Sequence, residues 1–210
     1  TTLWLETLAN VPRRFSQGHL PVGYVLDNGR FEIIEMLGAG GQATAYLARQ
    51  KLTCPSGEPA ERLIVLKEFI LPAHAGAEVS TRSLEHIRRE YELIKRIHNR
   101  QVVEYYGIFV EDHRAYLILE HVDGPSLRRL VDEGGPVSVQ QALDLAQQMS
   151  EILCHLHGQS PPVVHRDFTP ENLLIDKDGK LKLIDFNVAQ ELETSATRTI
   201  VGKHAYIPAE

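Results

Sequence analysis

From Phe31 onward the hydrophobic positions fall into short runs separated by turn residues. FEIIEMLG and TAYLARQ predict two strands around a glycine-rich turn. RLIVLKEFI predicts a third, with Leu63, Val65, Lys67 and Phe69 on one face, and the Pro and Gly of KLTCPSGEPAE predict a loop before it. A helix is predicted over roughly Thr81 to His98. VVEYYGIFV and RAYLILEHV predict two more strands, joined at Glu111–His113, which makes five strands and one helix. After Asp123 the pattern turns helical. Ser138 and Gln141 form a capping box before a long helix striped by Leu145, Met149, Ile152 and Leu156. Ala142, Ala146 and Leu153 widen that stripe, which implies contact on more than one side. Short strands follow near LLI and KLKLI. A strand-rich first half and a helix-led second half predict two lobes, with a cleft between them as the place for a ligand.

Composition narrows the class. The chain has 210 residues, 43% hydrophobic and 24% charged, enough to bury a core and unlike a disordered or fibrous protein. Net charge is −6 with both signs interspersed, so nucleic acid is not an expected partner. No apolar run approaches the ~20 residues of a membrane span, and the first residues lack a signal-peptide pattern. Two distant cysteines, Cys54 and Cys154, make neither a metal motif nor a disulfide framework and point to a cytoplasmic setting. Residues 1–26 read as an extension or linker, in which Trp4, Leu5 and Leu8 suit a short helix and Pro12 and Pro21 break the segment. The chain lacks an initiator Met, which suggests an excerpt.

Candidate chemistry begins with Gly38-Ala39-Gly40-Gly41-Gln42-Ala43, set between two strands. Glycine lets backbone N–H groups approach phosphate oxygens, but most such strings are tight hairpins. A dinucleotide site needs a helix after the glycines, and here a strand follows. Lys67 reads either as a surface lysine or as a phosphate partner. Glu90 shares a helix face with Ile87 and Ile94, and a carboxylate on an apolar face needs a partner. Glu85 and Glu92 have arginines at i+4, whereas Glu90 has Ile94, so Lys67 is the natural candidate for Glu90. Three further strings follow: His165-Arg166-Asp167-Phe168-Thr169-Pro170-Glu171-Asn172, then Ile184-Asp185-Phe186-Asn187, then Val201 to Glu210.

Taken in order, these strings resemble the eukaryotic-like protein kinases, of the bacterial serine/threonine branch, from about Arg30 to the last residue. The resemblance implies an α+β, two-lobed protein kinase fold, with a β-rich N-lobe bearing one helix over 27–122 and a truncated, mainly helical C-lobe over 123–210. It implies ATP and Mg2+ as cofactors. Gly38, Ala39 and Gly40 would cover the phosphates, and Lys67, held by Glu90, would meet the α and β phosphates. Leu119 would lie behind the adenine, Glu120 to Val122 would form the hinge, and Ala45, Val65 and Leu174 would sandwich the ring. Asp167 would orient the substrate hydroxyl, and Asn172 and Asp185 would hold the metal, for which hard oxygen ligands are suited. His155 and His157 are expected to be packed or solvated and His165 to be structural, supporting Asp167 and Phe186, with no metal on any histidine.

Several positions depart from the family pattern. Ala43 replaces the third glycine, at a cost of roughly 1–2 kcal/mol if positive φ is required there. Asn187 replaces a glycine, and Asn tolerates left-handed backbone. Thr169 stands where serine/threonine kinases carry lysine, and Lys203 where they carry threonine. The pair reads as swapped, with Lys203 supplying the ammonium near the γ-phosphate and Thr169 its hydrogen-bond partner. Arg166 is placed to pair with a phosphorylated Thr194, Ser195, Thr197 or Thr199. The chain stops at Glu210, where the family continues into further helices, so the wide stripe would lose its cover and the chain alone is expected to be marginal or aggregated.

The leading expectation is a kinase that transfers phosphate to Ser/Thr hydroxyls of proteins, itself included by autophosphorylation. A nucleotide-binding pseudokinase or scaffold, favoured by Ala43, Thr169 and Asn187, is the second reading. A small-molecule phosphotransferase is the third.

Overall fold

The structure, a computed structural model, describes residues 18–40, 43–53, 59–71, 77–186 and 190–191, and only the backbone of 53, 77–84, 86, 90 and 190–191. These residues fall into two compact units: those up to Tyr91 with Tyr105–His121, and Glu92–Glu104 with those from Val122 onward. Trp4, Leu5 and Leu8, Asn187, Thr194 to Thr199 and Val201 to Glu210, all named above, lie outside the described residues.

The first unit is one antiparallel sheet of six strands: β1 (Val25–Leu26), β2 (Phe31–Ala39), β3 (Thr44–Thr53), β4 (Pro59–Ile70), β5 (Tyr105–Glu111) and β6 (Arg114–Glu120), in the order β1-β2-β3-β4-β6-β5. The two-residue β1 is the strand beyond the five expected. β3 and β4 also run further than the loop reading allowed, because Lys51, Leu52 and Thr53 pair with Glu61, Ala60 and Pro59. The sheet curls until its edges meet. Phe109 on β5 stacks on Phe31 of β2 at 5.1 Å between centroids, and the Asp27 N–H donates to Glu111 Oε2 at 2.6 Å.

Strand alternation then sorts the residues. Phe31, Ile33, Tyr46, Ala48, Ile64, Leu66, Tyr116 and Ile118 fill the inside of the curl, joined by Leu20 and Leu26 from the stretch read above as an extension. The opposite face of β4 is graded: Leu63 is 46% exposed, Val65 half-buried, and Lys67 and Phe69 buried. The helix α1 (Ala77–Arg96) starts four residues before the expected Thr81, and on it Ile87, Leu93 and Ile94 are buried.

The second unit holds α2 (Leu127–Gly134) and α3 (Val139–His157). Ser126 caps α2 by accepting from the Arg129 N–H. α3 opens with the expected capping box: Ser138 Oγ accepts from the Gln141 N–H at 3.2 Å and Gln141 Oε1 from the Ser138 N–H at 3.0 Å. Of the stripe, Leu145, Ile152 and Leu156 are buried, whereas Ala142 and Ala146 are exposed. The remaining strands are β7 (Val163–Val164), β8 (Leu173–Ile175), β9 (Leu181–Leu183) and β10 (Gln190–Glu191), pairing β8 with β9 and β7 with β10. Gln148 clamps the β8–β9 hairpin onto α3, accepting from the Leu181 N–H at 2.9 Å and donating to Gly179 O at 3.3 Å. Gly124 is obligatory, because a Cβ there would lie 1.7 Å from Ile175 O. Among the described residues no helix is long and apolar enough to cross a membrane.

Candidate active site

In the first unit the glycine-rich string closes the β2–β3 hairpin. Gly38 pairs with Ala45, Ala39 with Thr44, and the Gly40 N–H donates to Ala43 O at 2.9 Å. Gly38, Gly40 and Ala43 all lie outside the positive-φ region, so the backbone cost considered for Ala43 does not arise. A Cβ on Gly38 would meet nothing within 4 Å, and one on Gly40 only an ordinary contact at 3.7 Å. Neither backbone angle nor crowding within the protein calls for glycine at these two positions. What glycine does provide is bare backbone open to close approach from outside.

Lys67 lies one rung from this turn, between Ala45 on β3 and Leu117 on β6. Its side chain is 7% exposed, and its Nζ lies 5.4 Å from the centroid of the Phe69 ring, within cation–π reach. Val65 pairs with Leu47 and Leu119, so Ala45, Val65, Lys67 and Leu119 occupy neighbouring rungs of three adjacent strands. Leu119 is buried and Glu120, opposite Ile64, half-buried. The backbone of Glu90 lies on α1, but its side chain is not described, so its pairing with Lys67 stays an expectation.

In the second unit the strings at 165–172 and 184–186 come together. The Thr169 N–H donates to Asp167 O and the Asn172 N–H to Thr169 O, both at 2.9 Å, which folds the loop into a short 3-10 turn, Pro170–Asn172. The Asn172 side-chain amide then donates to both Asp167 O and Asp167 Oδ2, each at 2.9 Å. With its nitrogen committed to Asp167, the Asn172 amide oxygen is the atom left to face a cation. The Ile184 N–H donates to Asn172 O at 2.9 Å, which fixes the residue before Asp185 to the same loop. Arg166 and Asp185 both adopt left-handed backbone, with φ of 64° and 62°, a conformation uncommon for residues other than glycine. Thr169 is buried, at 2% exposure. Val122 and Leu174 also belong to this unit, the first buried and the second half-buried.

His165 sits beneath this loop. It is 2% exposed and meets the Phe186 ring edge-on at 4.8 Å and the Phe168 ring at 6.2 Å. Burial holds its pKa below the usual histidine value, against smaller upward pulls from the Ile184 backbone and from Asp185 and Asp167. Neither ring nitrogen makes a hydrogen bond of normal geometry, and the imidazole is neutral near pH 7. Its role is packing against Phe186, as expected. Among the described residues no group of three or more His, Cys, Asp and Glu is placed to hold a metal.

Sequence reasoning missed a second constellation in the first unit, the buried group of Glu68, Arg114, Tyr46 and Tyr116. The signal was present, since Glu68 alternates with Ile64 and Leu66 on an apolar strand face and needs a partner there by the argument applied to Glu90.

Comparison with known proteins agrees with this arrangement. The protein kinase domain family matches residues 31–210. The chain is 32% identical over 208 residues to the serine/threonine-protein kinase cds1 of Schizosaccharomyces pombe, covering 98% of this chain and 43% of that protein. It is 28% identical to the serine/threonine-protein kinase PrkC of Bacillus subtilis, over 87% of this chain and 27% of that one. With Aurora kinase C of Mus musculus it shares 31% identity, over 86% and 60% respectively. The chain thus spans between about a quarter and three-fifths of these relatives. With a family match over most of its length and the loop 165–172 folded around Asp167, the chain belongs to the protein kinase family.

Proposed function

We propose that this chain carries the nucleotide-binding and catalytic residues of a protein serine/threonine kinase, which transfers the γ-phosphoryl group of ATP to protein hydroxyls. The observation that carries the reading is the double hydrogen bond from the Asn172 amide to Asp167, which orients the carboxylate and the amide oxygen as one rigid pair. Asp167 would hold the substrate hydroxyl and take its proton as the oxygen bonds to the γ-phosphorus and the bond to the β-phosphate oxygen breaks, releasing ADP. Lys67 would meet the α and β phosphates, and the open backbone at Gly38 to Gly40 would offer its N–H groups to them. Ala45, Val65, Leu119, Glu120, Val122 and Leu174 are proposed to hold the adenine. Asn172 and Asp185 offer hard oxygen donors that suit magnesium, and the bound ion would neutralise charge on the phosphates.

Serine and threonine side chains of proteins are the proposed substrates, because two of the relatives above, those of Schizosaccharomyces pombe and Bacillus subtilis, carry serine/threonine-protein kinase names. The test is phosphate transfer from γ-labelled ATP to a generic protein substrate, beside an Asp167→Asn control. Transfer that the control abolishes is expected. Magnesium-dependent ATP binding without transfer would instead support the pseudokinase reading.

A further inference from the structure

Glu68 follows Lys67 directly on β4, and the two side chains project to opposite faces of the sheet. Lys67 faces the rungs assigned above to nucleotide, whereas Glu68 points into the curl, where it is 2% exposed. There it accepts from Arg114 Nη1, from the Tyr116 hydroxyl at 3.1 Å and from the Tyr46 hydroxyl at 3.3 Å. The outer ends of this group hold a separate piece of chain. The Leu20 N–H donates to the Tyr46 hydroxyl oxygen at 3.0 Å, and Arg114 Nη2 donates to Gly18 O at 3.0 Å. Gly18 to Leu20 are therefore tied at both ends to one carboxylate. Burial pushes the Tyr46 and Tyr116 hydroxyls above the ordinary tyrosine pKa, and both remain protonated donors.

The position of this group is what gives it consequence. Glu68 pairs with Thr44 on one side and Tyr116 on the other, and Thr44 pairs with Ala39. The glycine-rich turn leaves β2 at Ala39 and re-enters the sheet at Thr44, so the carboxylate sits on the rung that closes that turn. A buried ion pair is a poor source of stability, because desolvation offsets most of the attraction and a well-packed apolar pair does as well. What it supplies is a fixed geometry. Successive residues of a strand point to opposite faces, so Glu68 fixed on the inner face holds the same stretch of backbone from which Lys67 projects on the other.

We propose that Glu68 is a positioning residue for the nucleotide site: through Arg114 and Tyr46 it couples the docking of Gly18–Leu20 to the alignment of Lys67 and the glycine-rich turn. The segment before β1 then sets nucleotide affinity from the inner face of the sheet. This rests on the reading of Lys67 and the turn as phosphate partners.

The test uses the full chain and a paired Glu68→Leu/Arg114→Met variant, which replaces the ion pair by apolar side chains of similar size. Binding of a fluorescent N-methylanthraniloyl ATP with magnesium is measured beside hydrogen exchange of the nucleotide-free protein. The expected result is a melting temperature close to that of the parent, affinity weaker by about tenfold, as for loss of one charged hydrogen bond, and faster exchange both at Leu20 and at Thr44–Tyr46. Faster exchange confined to Gly18–Leu26, with affinity and Thr44–Tyr46 unchanged, would overturn the proposal and leave the group as packing alone. If the paired variant does not fold, Tyr46→Phe carries the same comparison, since it cuts the link between Leu20 and Glu68 by removing one hydroxyl. A Lys67→Met control separates the two readings. If it binds the probe as well as the parent, the nucleotide reading fails, and exchange at Thr44–Tyr46 still decides whether the segment and the turn are coupled.

Discussion

Asn172→Asp is the sharpest probe of the loop built around Asp167. The substitution keeps the shape of the side chain but turns its Nδ2 donor into a carboxylate oxygen, set 2.9 Å from Asp167 Oδ2 and from Asp167 O. One charge-assisted hydrogen bond and one neutral one are lost, which together cost about 2–4 kcal/mol. Two carboxylates at that distance also repel by up to about 6 kcal/mol at an effective dielectric near 20, unless they share a proton. A shared proton raises the folded pKa of the pair above its unfolded value, and the sign of the pH dependence follows. The pair is tolerated at acid pH, and stability is lost as pH rises through the raised folded value. Thermal melts of parent and variant from pH 5 to 8, with a chelator present to exclude divalent cations, read the effect directly. The melting-temperature gap should be small at the acid end and widen steadily towards pH 8. A gap that stays constant across the range would refute the geometry assigned to Asn172.

Other expectations follow from single contacts. Gly124→Ala should cost about 1–3 kcal/mol and lower the melting temperature, because a Cβ 1.7 Å from Ile175 O must push the β8 end away; a melt unchanged within error would contradict that close approach. Since burial lowers the His165 pKa in the folded state, protonating it is penalised on folding, so its contribution is present above the unfolded pKa of about 6.5 and is lost as pH falls below that value. His165→Gln should flatten the acid limb of the stability curve between pH 7 and 5, and an unaltered limb would assign that limb to other groups. The exchange Thr169→Lys with Lys203→Thr should keep more phosphate transfer than either change alone, and equal damage from all three variants would remove the idea that the two residues have traded places.

Much of the site was legible because its residues obey local rules. The strand periods around Lys67, the turn at Gly38 and the Ser138 capping box are set by nearest neighbours, and the pattern placed them where the structure has them. The contact of Asn172 with Asp167 is also local, between residues five apart in sequence. The missed features depend on contacts remote in sequence. Arg114 meets Glu68 across 46 residues and Gly18 across 96, so neither partner is visible in a window along the chain. The same holds for Leu20 and Leu26, which read as an extension because Pro21 and the glycines around them break any period, yet fill the inside of a curl that only the assembled sheet creates. The loop reading of Lys51–Thr53 failed for a related reason: Pro and Gly mark the turn itself, but the ladder on either side runs on until its backbone partners are exhausted. Left-handed backbone at Asp185 was not expected, since the sequence reading weighed that conformation only at Ala43 and Asn187, although Asp is among the residues that adopt it most readily.

The most direct test of the central claim is phosphate transfer from γ-labelled ATP by the full-length protein that carries this chain, with magnesium, to a generic protein substrate. The account predicts label on serine and threonine, abolished by Asp167→Asn while ATP binding persists. Transfer that survives Asp167→Asn unchanged would contradict the role given to the Asp167–Asn172 pair, and with it the reading of this chain as a working kinase.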